Sequence, residues 1–268
     1  TMDVTDAFFE SMSGLTTTGA TVLSEIDDLP ESIRYYRQQL QWLGGMGIVV
    51  LAVAVMPMLG VGGMQLYRAE TPGPAKETKL TPRIAETAKA LWYIYLSLTV
   101  ACLLAYWWAG MSLFDAVGHS FSTIAIGGFS THDQSLGYFQ STSINLVAVL
   151  FMLLAGINFA LHFHTWHARN PLTYFHDPEV RTYLGVLAVV SALSIVVLNH
   201  LEVFPNFGAV LDHGLFQAVS IATTTGFTTT GFHAWPTFLP VLFLTASFIG
   251  GCAGSTAGGL KVIRVLLL

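Results

Sequence analysis

Long apolar runs alternate with polar stretches along the chain. Residues 1–21 form a short amphipathic segment, with Ala7, Phe8, Phe9 and Met12, ending in LTTTGAT. A polar loop is expected over residues 22–37. From Gln41 to Leu66 the chain is apolar and rich in glycine, which lets helices approach closely, and Pro57 predicts a kink. Residues 67–89 are the most polar stretch. Spans are expected at Ile84–Ala109, Ser143–Trp166 and Tyr183–Leu198. Two apolar helices, at residues 113–125 and Leu215–Ala222, are shorter than the roughly 20 residues needed to cross a bilayer. The last apolar run, Pro236–Leu268, is interrupted at residues 250–259 by GGCAGSTAGG.

One polar island recurs. Residues 222–232 read ATTTGFTTTGF, and looser copies lie earlier, at LTTTGAT and AIGGFST. With Gly19, Gly128 and Gly226 in register, the copies are 109 and 98 residues apart. That distance fits a repeated unit the size of a helical hairpin. Ser13, Ser122 and Ser220 each lie six residues before the glycine. Asp6 and Asp115 lie thirteen residues before it, and Asp212 fourteen. Only the frame of Gly226, not that of Gly231, keeps the serine in place.

Composition sets the solvent. Apolar residues make up 53% of the 268 and charged residues only 10%, against about 25% in soluble domains, so an all-α integral membrane protein is expected. The net charge of −5 comes with no basic stripe, which leaves nucleic-acid binding without support. Nine of the eleven Lys and Arg residues fall on one side of the expected spans, and Arg34 and Arg37 on the other. The first side is therefore cytoplasmic, and the three Thr/Gly turns open from the opposite face. Cys102 and Cys252 sit far apart in apolar segments and read as buried thiols. The chain lacks an initiator Met and stops inside an apolar run, so an internal portion of a longer chain is expected.

Each unit thus reads span, short helix, Thr/Gly turn, span. A helix of about ten residues that enters the membrane must turn back, and non-helical backbone there is tolerated only beside protein or a watery cavity. Such turns can present backbone carbonyls that replace the hydration shell of a cation. Glycine permits the backbone angles this needs, and the negative end of each short helix points at the turn. Small residues also permit close helix packing. Three copies in register, with the same serine and aspartate spacing, favour the cation-lining turn. The glycine-rich break at 250–259 would likewise be irregular backbone at membrane depth, since each glycine costs a helix roughly 1 kcal/mol relative to Ala.

The stretches DAFFESMSGLTTTGAT, QWLGGMGIVVLAVAVMPMLGVGGMQLYRAETPGP, HSFSTIAIGGFSTHD and FIGGCAGSTAGGLKVIR resemble the TrkH family, membrane subunits of bacterial Trk potassium uptake systems within the Trk/Ktr/HKT superfamily. The resemblance covers essentially the whole chain. It implies repeated membrane helix–pore helix–filter loop–membrane helix units related to potassium channels, in a multi-pass protein of the bacterial inner membrane. It places the first repeat at residues 1–66 (pore loop and second helix only), the second at 67–167 and the third at 168–268 with its broken last helix. A fourth repeat is absent from this chain. Filter carbonyls are expected from Thr17, Thr18, Ile126, Gly127, Thr224 and Thr225 with filter glycines Gly19, Gly128 and Gly226, and K⁺ as the bound and transported ion. The implied gate loop comprises Gly250, Gly251, Gly254, Ser255, Thr256, Gly258 and Gly259. Implied partners are a second copy, giving a homodimer, and a cytosolic nucleotide-binding regulatory ring of the TrkA type. No organic cofactor is implied.

Other features weigh less. His162, His164 and His167 do not share one helical face and read as interfacial histidines. His119 reads as part of a packing or polar network, and Asp6, Asp115 and Asp212 as N-caps of the short helices. Lys261 and Arg264 read either as snorkelling anchors or as contacts for the cytosolic partner. An ion-coupled secondary transporter is the alternative function, but turns that all open to one side give parallel, not inverted, repeats. An intramembrane enzyme is disfavoured because G-x-S-x-G is absent around Ser255 and no nucleotide-binding G-x-x-x-x-G-K-[ST] occurs.

Overall fold

A computed structural model describes residues 3–47, 84–236 and 238–267. The apolar run beyond Gly47, with Pro57, and the polar stretch up to Arg83 lie outside these residues. Among the described residues the regular structure is helical throughout. Helix α1 (Val4–Leu15) ends in the first Thr/Gly turn. Helix α2 (Glu31–Trp42) follows and passes into a π-turn at Leu43–Gly47. It starts earlier than expected, inside the polar loop, because the turns after Pro30 are amphipathic and bury Arg37, Gln38 and Gln41.

The second unit comprises α3 (Ile84–Trp108), α4 (Leu113–Ala125), α5 (Thr142–Ala155) and α6 (Phe159–Ala168). The third comprises the single-turn α7 (Thr173–His176), α8 (Pro178–His200), α9 (Phe207–Ala222), α10 (Leu239–Ile249) and α11 (Val262–Leu267). By length and composition α3 and α8 can cross a membrane. The expected span at Ser143–Trp166 is not one rod. It bends by 94° between α5 and α6, where Gly156–Asn158 leave the helix and Asn158 caps the next one through Ala160 N–H at 2.8 Å. The last run is broken as expected, with α10 and α11 separated by residues 250–261.

The apolar pattern is that of a protein in lipid. Val189, Leu193 and Val196 of α8, with Val241, Leu244 and Phe248 of α10, face outward. Trp107 and Trp108 project at one end of α3, as interfacial aromatics do. Two cores form within. One joins α3, α4 and α5 through Leu91, Tyr95, Tyr106, Ile124 and Met152, and reaches Phe216 and Phe227 of the third unit. The other joins α8, α9 and α10 through Tyr183, Leu187, Val210 and Phe243. Cys102 and Cys252 are both buried.

The short helices are α1, α4 and α9, of 12, 13 and 16 residues, and their C-terminal ends run into the three turns. The aspartates do not cap them. Asp3, Ser112 and Asn206 do, accepting from the N–H groups of Val4, Asp115 and Ala209. These residues precede the first turn, where an N-cap must stand, whereas Asp6, Asp115 and Asp212 already lie inside the helix. Asp115 instead accepts from Thr131 Oγ1 at 2.7 Å, and Asp212 from Thr142 Oγ1 at 2.9 Å and Asn145 Nδ2 at 3.1 Å.

Candidate cation filter and the loop beneath it

The three turns share one backbone conformation. Thr17, Ile126 and Thr224, each two residues before its glycine, lie in the left-handed region with φ of 54°, 54° and 69°. Gly19, Gly128 and Gly226 follow at 74°, 79° and 89°. Between them Thr18, Gly127 and Thr225 keep negative φ. This alternation swings successive peptide planes so that neighbouring carbonyls can face one side. Gly231 has a φ of −70°, so the second TTTGF does not repeat the conformation, and the frame of Gly226 is the matching one.

The serine six residues back explains why the pattern carries it. Its carbonyl accepts the N–H of the residue before the glycine at 2.9 Å in all three units: Thr18 to Ser13, Gly127 to Ser122, Thr225 to Ser220. Its hydroxyl then holds the outgoing strand. Ser13 Oγ donates to the Ala20 carbonyl at 2.6 Å and Ser220 Oγ to the Phe227 carbonyl at 2.7 Å. In the second unit Ser122 Oγ donates to Gln41 Oε1, which also accepts the Phe129 N–H at 3.1 Å.

Among the described residues no donor reaches the carbonyls of Thr17, Thr18, Gly19, Ile126, Gly128, Thr224, Thr225 or Gly226. Gly127 differs, because its carbonyl accepts Gln41 Nε2 at 2.7 Å. The turns abut in sequence. A Cβ on Gly19 would overlap the Gly127 carbonyl oxygen, and one on Gly128 would overlap the Thr225 carbonyl oxygen. The same contact recurs in the same sense, as it would around a rotation axis. Beside Gly226 no described atom lies within 4 Å of the Cβ position.

Residues 250–259 lie under these turns. Gly258 N–H donates to Thr224 Oγ1 at 2.8 Å. Thr256 Oγ1 donates to the Ile124 carbonyl at 2.8 Å and contacts that of Ala155 at 3.3 Å. The loop also fits the bend after α5, for Cys252 N–H donates to the Gly156 carbonyl and Phe159 N–H to the Gly254 carbonyl, both at 2.9 Å. Glu179, 1% exposed at the start of α8, accepts the Ala253 N–H at 2.7 Å. Gly250 packs against the Gly258 carbonyl, the Gly251 carbonyl accepts the Val262 N–H at 3.0 Å, and Ser255 Oγ donates to the Cys252 carbonyl at 2.7 Å.

Behind the turns lies a set of buried polar side chains, of which only His119 was read from the sequence. Glu10 and Arg37 form an ion pair at 2.7 Å with side chains 6% and 3% exposed. Glu10 also accepts Thr21 Oγ1 and Val22 N–H, while Arg37 Nη1 donates to the Ser130 carbonyl at 3.1 Å and the guanidinium covers Phe129. His119 takes the same position in α4 that Glu10 takes in α1, bridging the Asp115 carbonyl and Ser130 Oγ, each at 2.9 Å. The polar-network reading of His119 holds. Arg34, Arg37, Gln38 and Gln41 recur at helical spacing, and that polar stripe next to an apolar run was the available signal. His162 is not interfacial: it is buried, bonding Tyr174 Oη at 2.7 Å and the Leu154 carbonyl at 2.9 Å. Among the described residues no cluster of His, Cys, Asp and Glu suits a metal ion.

Fold and site together define a multi-pass, all-α membrane protein of the pore-loop type, with short helices leading into abutting carbonyl-rich turns. Residues 1–268 match the TrkH family, described as a cation transport protein, and the chain belongs to that family. It is 61% identical over 269 residues to a Trk system potassium uptake protein TrkH of Vibrio parahaemolyticus, covering 100% of this chain and 56% of that protein. A TrkG protein of Escherichia coli is 44% identical over 263 residues, covering 98% of this chain and 54% of that one. The crystal structure of the potassium transporter TrkH from Vibrio parahaemolyticus superposes with a TM-score of 0.86 at 57% identity, over 99% of this chain and 54% of that one. The chain spans about half the length of the curated relatives it matches.

Proposed function

We propose that the three turns are three sides of a carbonyl-lined filter for K⁺, and that residues 250–259 are the gate below it. The single observation that carries this reading is the common backbone conformation of the three turns. A left-handed threonine or isoleucine is strained, and strain repeated at three equivalent positions marks a functional constraint. Free carbonyls at the negative ends of three short helices suit a monovalent cation without any acidic ligand. The relatives named as potassium uptake proteins favour K⁺ as the ion. Inward flux would draw on the membrane potential, worth about 2.3 kcal/mol per charge per 100 mV. The open side of Gly226 is where a fourth turn of the same kind would close the ring. Transport, not catalysis, is the activity, at the inner membrane of a bacterium. The Trk-system names of the relatives support a multi-component assembly, for which we infer a homodimer and a cytosolic nucleotide-binding ring of the TrkA type.

The test is Rb⁺ and Na⁺ uptake into vesicles holding the full-length protein with Gly128→Ser. A side chain there collides with the Thr225 carbonyl, so discrimination between the two ions should fall. Full retention of discrimination would sink the filter.

A further inference from the structure

Thr224 is a β-branched residue at a φ of 69°, a conformation that persists only where its surroundings impose it. One restraint is local, its N–H donating to the Ile221 carbonyl at 3.0 Å. The other comes from the loop below: Thr224 Oγ1 accepts the N–H of Gly258, near the end of the glycine-rich stretch. The equivalent residues in the other turns, Thr17 and Ile126, make no side-chain hydrogen bond to that loop among the described residues. The loop does touch the second unit, through Thr256 and the carbonyl of Ile124, two residues before Ile126.

We propose that filter and gate loop are one coupled element, with the Thr224 hydroxyl as the coupling group. The reading rests on the filter and gate assignments above. With the loop seated, the bond to Gly258 helps hold Thr224 left-handed and its carbonyl aligned with those of Thr17 and Ile126. When the loop withdraws, the bond breaks and Thr224 is freer to relax toward negative φ, which turns the following peptide plane. Gate position then sets ion discrimination as well as flux. Coupling of this kind is reciprocal: loosening the third turn must also favour withdrawal of the loop.

Thr224→Val keeps the shape and the β-branching and removes only the acceptor. In vesicles holding the full-length protein it should raise Rb⁺ uptake about fivefold, the population shift expected from losing one net hydrogen bond, and lower Rb⁺/Na⁺ discrimination. Thr224→Ser should restore both. Thr256→Val, which touches no filter residue, should unseat the loop from the Ile124 side and lower discrimination too. The double variant should then change less than the product of the two single effects. Higher uptake in Thr256→Val with the Rb⁺/Na⁺ ratio unchanged would leave the gate standing and overturn the coupling. Unchanged uptake on shortening Gly250–Gly259 would overturn the gate and the coupling with it. Should Thr224→Val not reach the vesicles, Thr256→Val alone decides.

Discussion

Arg37 shows how far a single side chain reaches in this molecule. Its guanidinium binds Glu10 behind the first turn and the Ser130 carbonyl behind the second, so one buried ion pair fixes two turns relative to each other. Removing one partner of a buried pair leaves a bare charge, which typically costs about 3–5 kcal/mol. Arg37→Ala should therefore lower the unfolding temperature in detergent sharply, whereas Arg34→Ala, whose guanidinium lies over Phe114 and donates one bond at 3.3 Å, should change it little. Equal effects of the two would contradict the assignment. In sequence, Arg37 was visible only as one of two basic residues on the extracytoplasmic side. Counting charges by loop gave the orientation but not the burial, because burial depended on α2 starting at Glu31, inside what reads as a polar loop. The aspartates of the repeat misled for a related reason. An acid in the first turns of a helix looks like a cap in sequence, and only the chain path shows that Asp115 ties down the outer loop at Thr131 and Asp212 the start of α5.

At the scale of elements, the outer loop of the second unit is clamped from both sides. His132 stacks on Tyr138 with ring centroids 3.5 Å apart, hydrogen-bonds Asp27 of the first unit, and lies 3.2 Å from Asp115 Oδ1. The carboxylates of Asp27 and Asp133 each accept the other's backbone N–H at the same place, Arg34 and Arg37 hold the Thr131 and Ser130 carbonyls, and His119 holds Ser130 Oγ. Burial pushes the His132 imidazolium down, but the bonds to Asp115 and Asp27 overrule it and its pKa stands above the ordinary value. Burial likewise raises Asp27, yet His132 and the Asp133 backbone bring it below its usual range. The signs follow. A raised histidine contributes stability that is complete below its unfolded pKa of about 6.5 and is lost as pH rises through the folded value; the lowered aspartate loses its share only in strong acid. Thermal stability should thus begin to fall as pH rises past about 6.5 and through the raised folded value, and His132→Gln should flatten that slope. An unaltered slope in the variant would contradict the clamp. The two broken helices differed in legibility. Five glycines at 250–259 announce a break, while Gly156 stands alone in an apolar run and a lone glycine is compatible with an intact helix.

For the whole molecule, the decisive relation is the order of the turns: Gly19 against Gly127, Gly128 against Thr225, and Gly226 with no described atom beside it. The sequence showed the three-fold recurrence and its frame, because serine and glycine at fixed offsets do the same local work each time. It did not show the contacts between turns, nor that the bend after α5 and the loop at 250–259 interlock, since those join residues about a hundred positions apart. Whether the turns bind a cation by their carbonyls is decided by anomalous diffraction from crystals of the full-length protein grown in Rb⁺. An anomalous peak is expected within coordination distance of the carbonyls of Thr17, Ile126 and Thr224. A clear map with no Rb⁺ among those carbonyls would contradict cation binding by the turns.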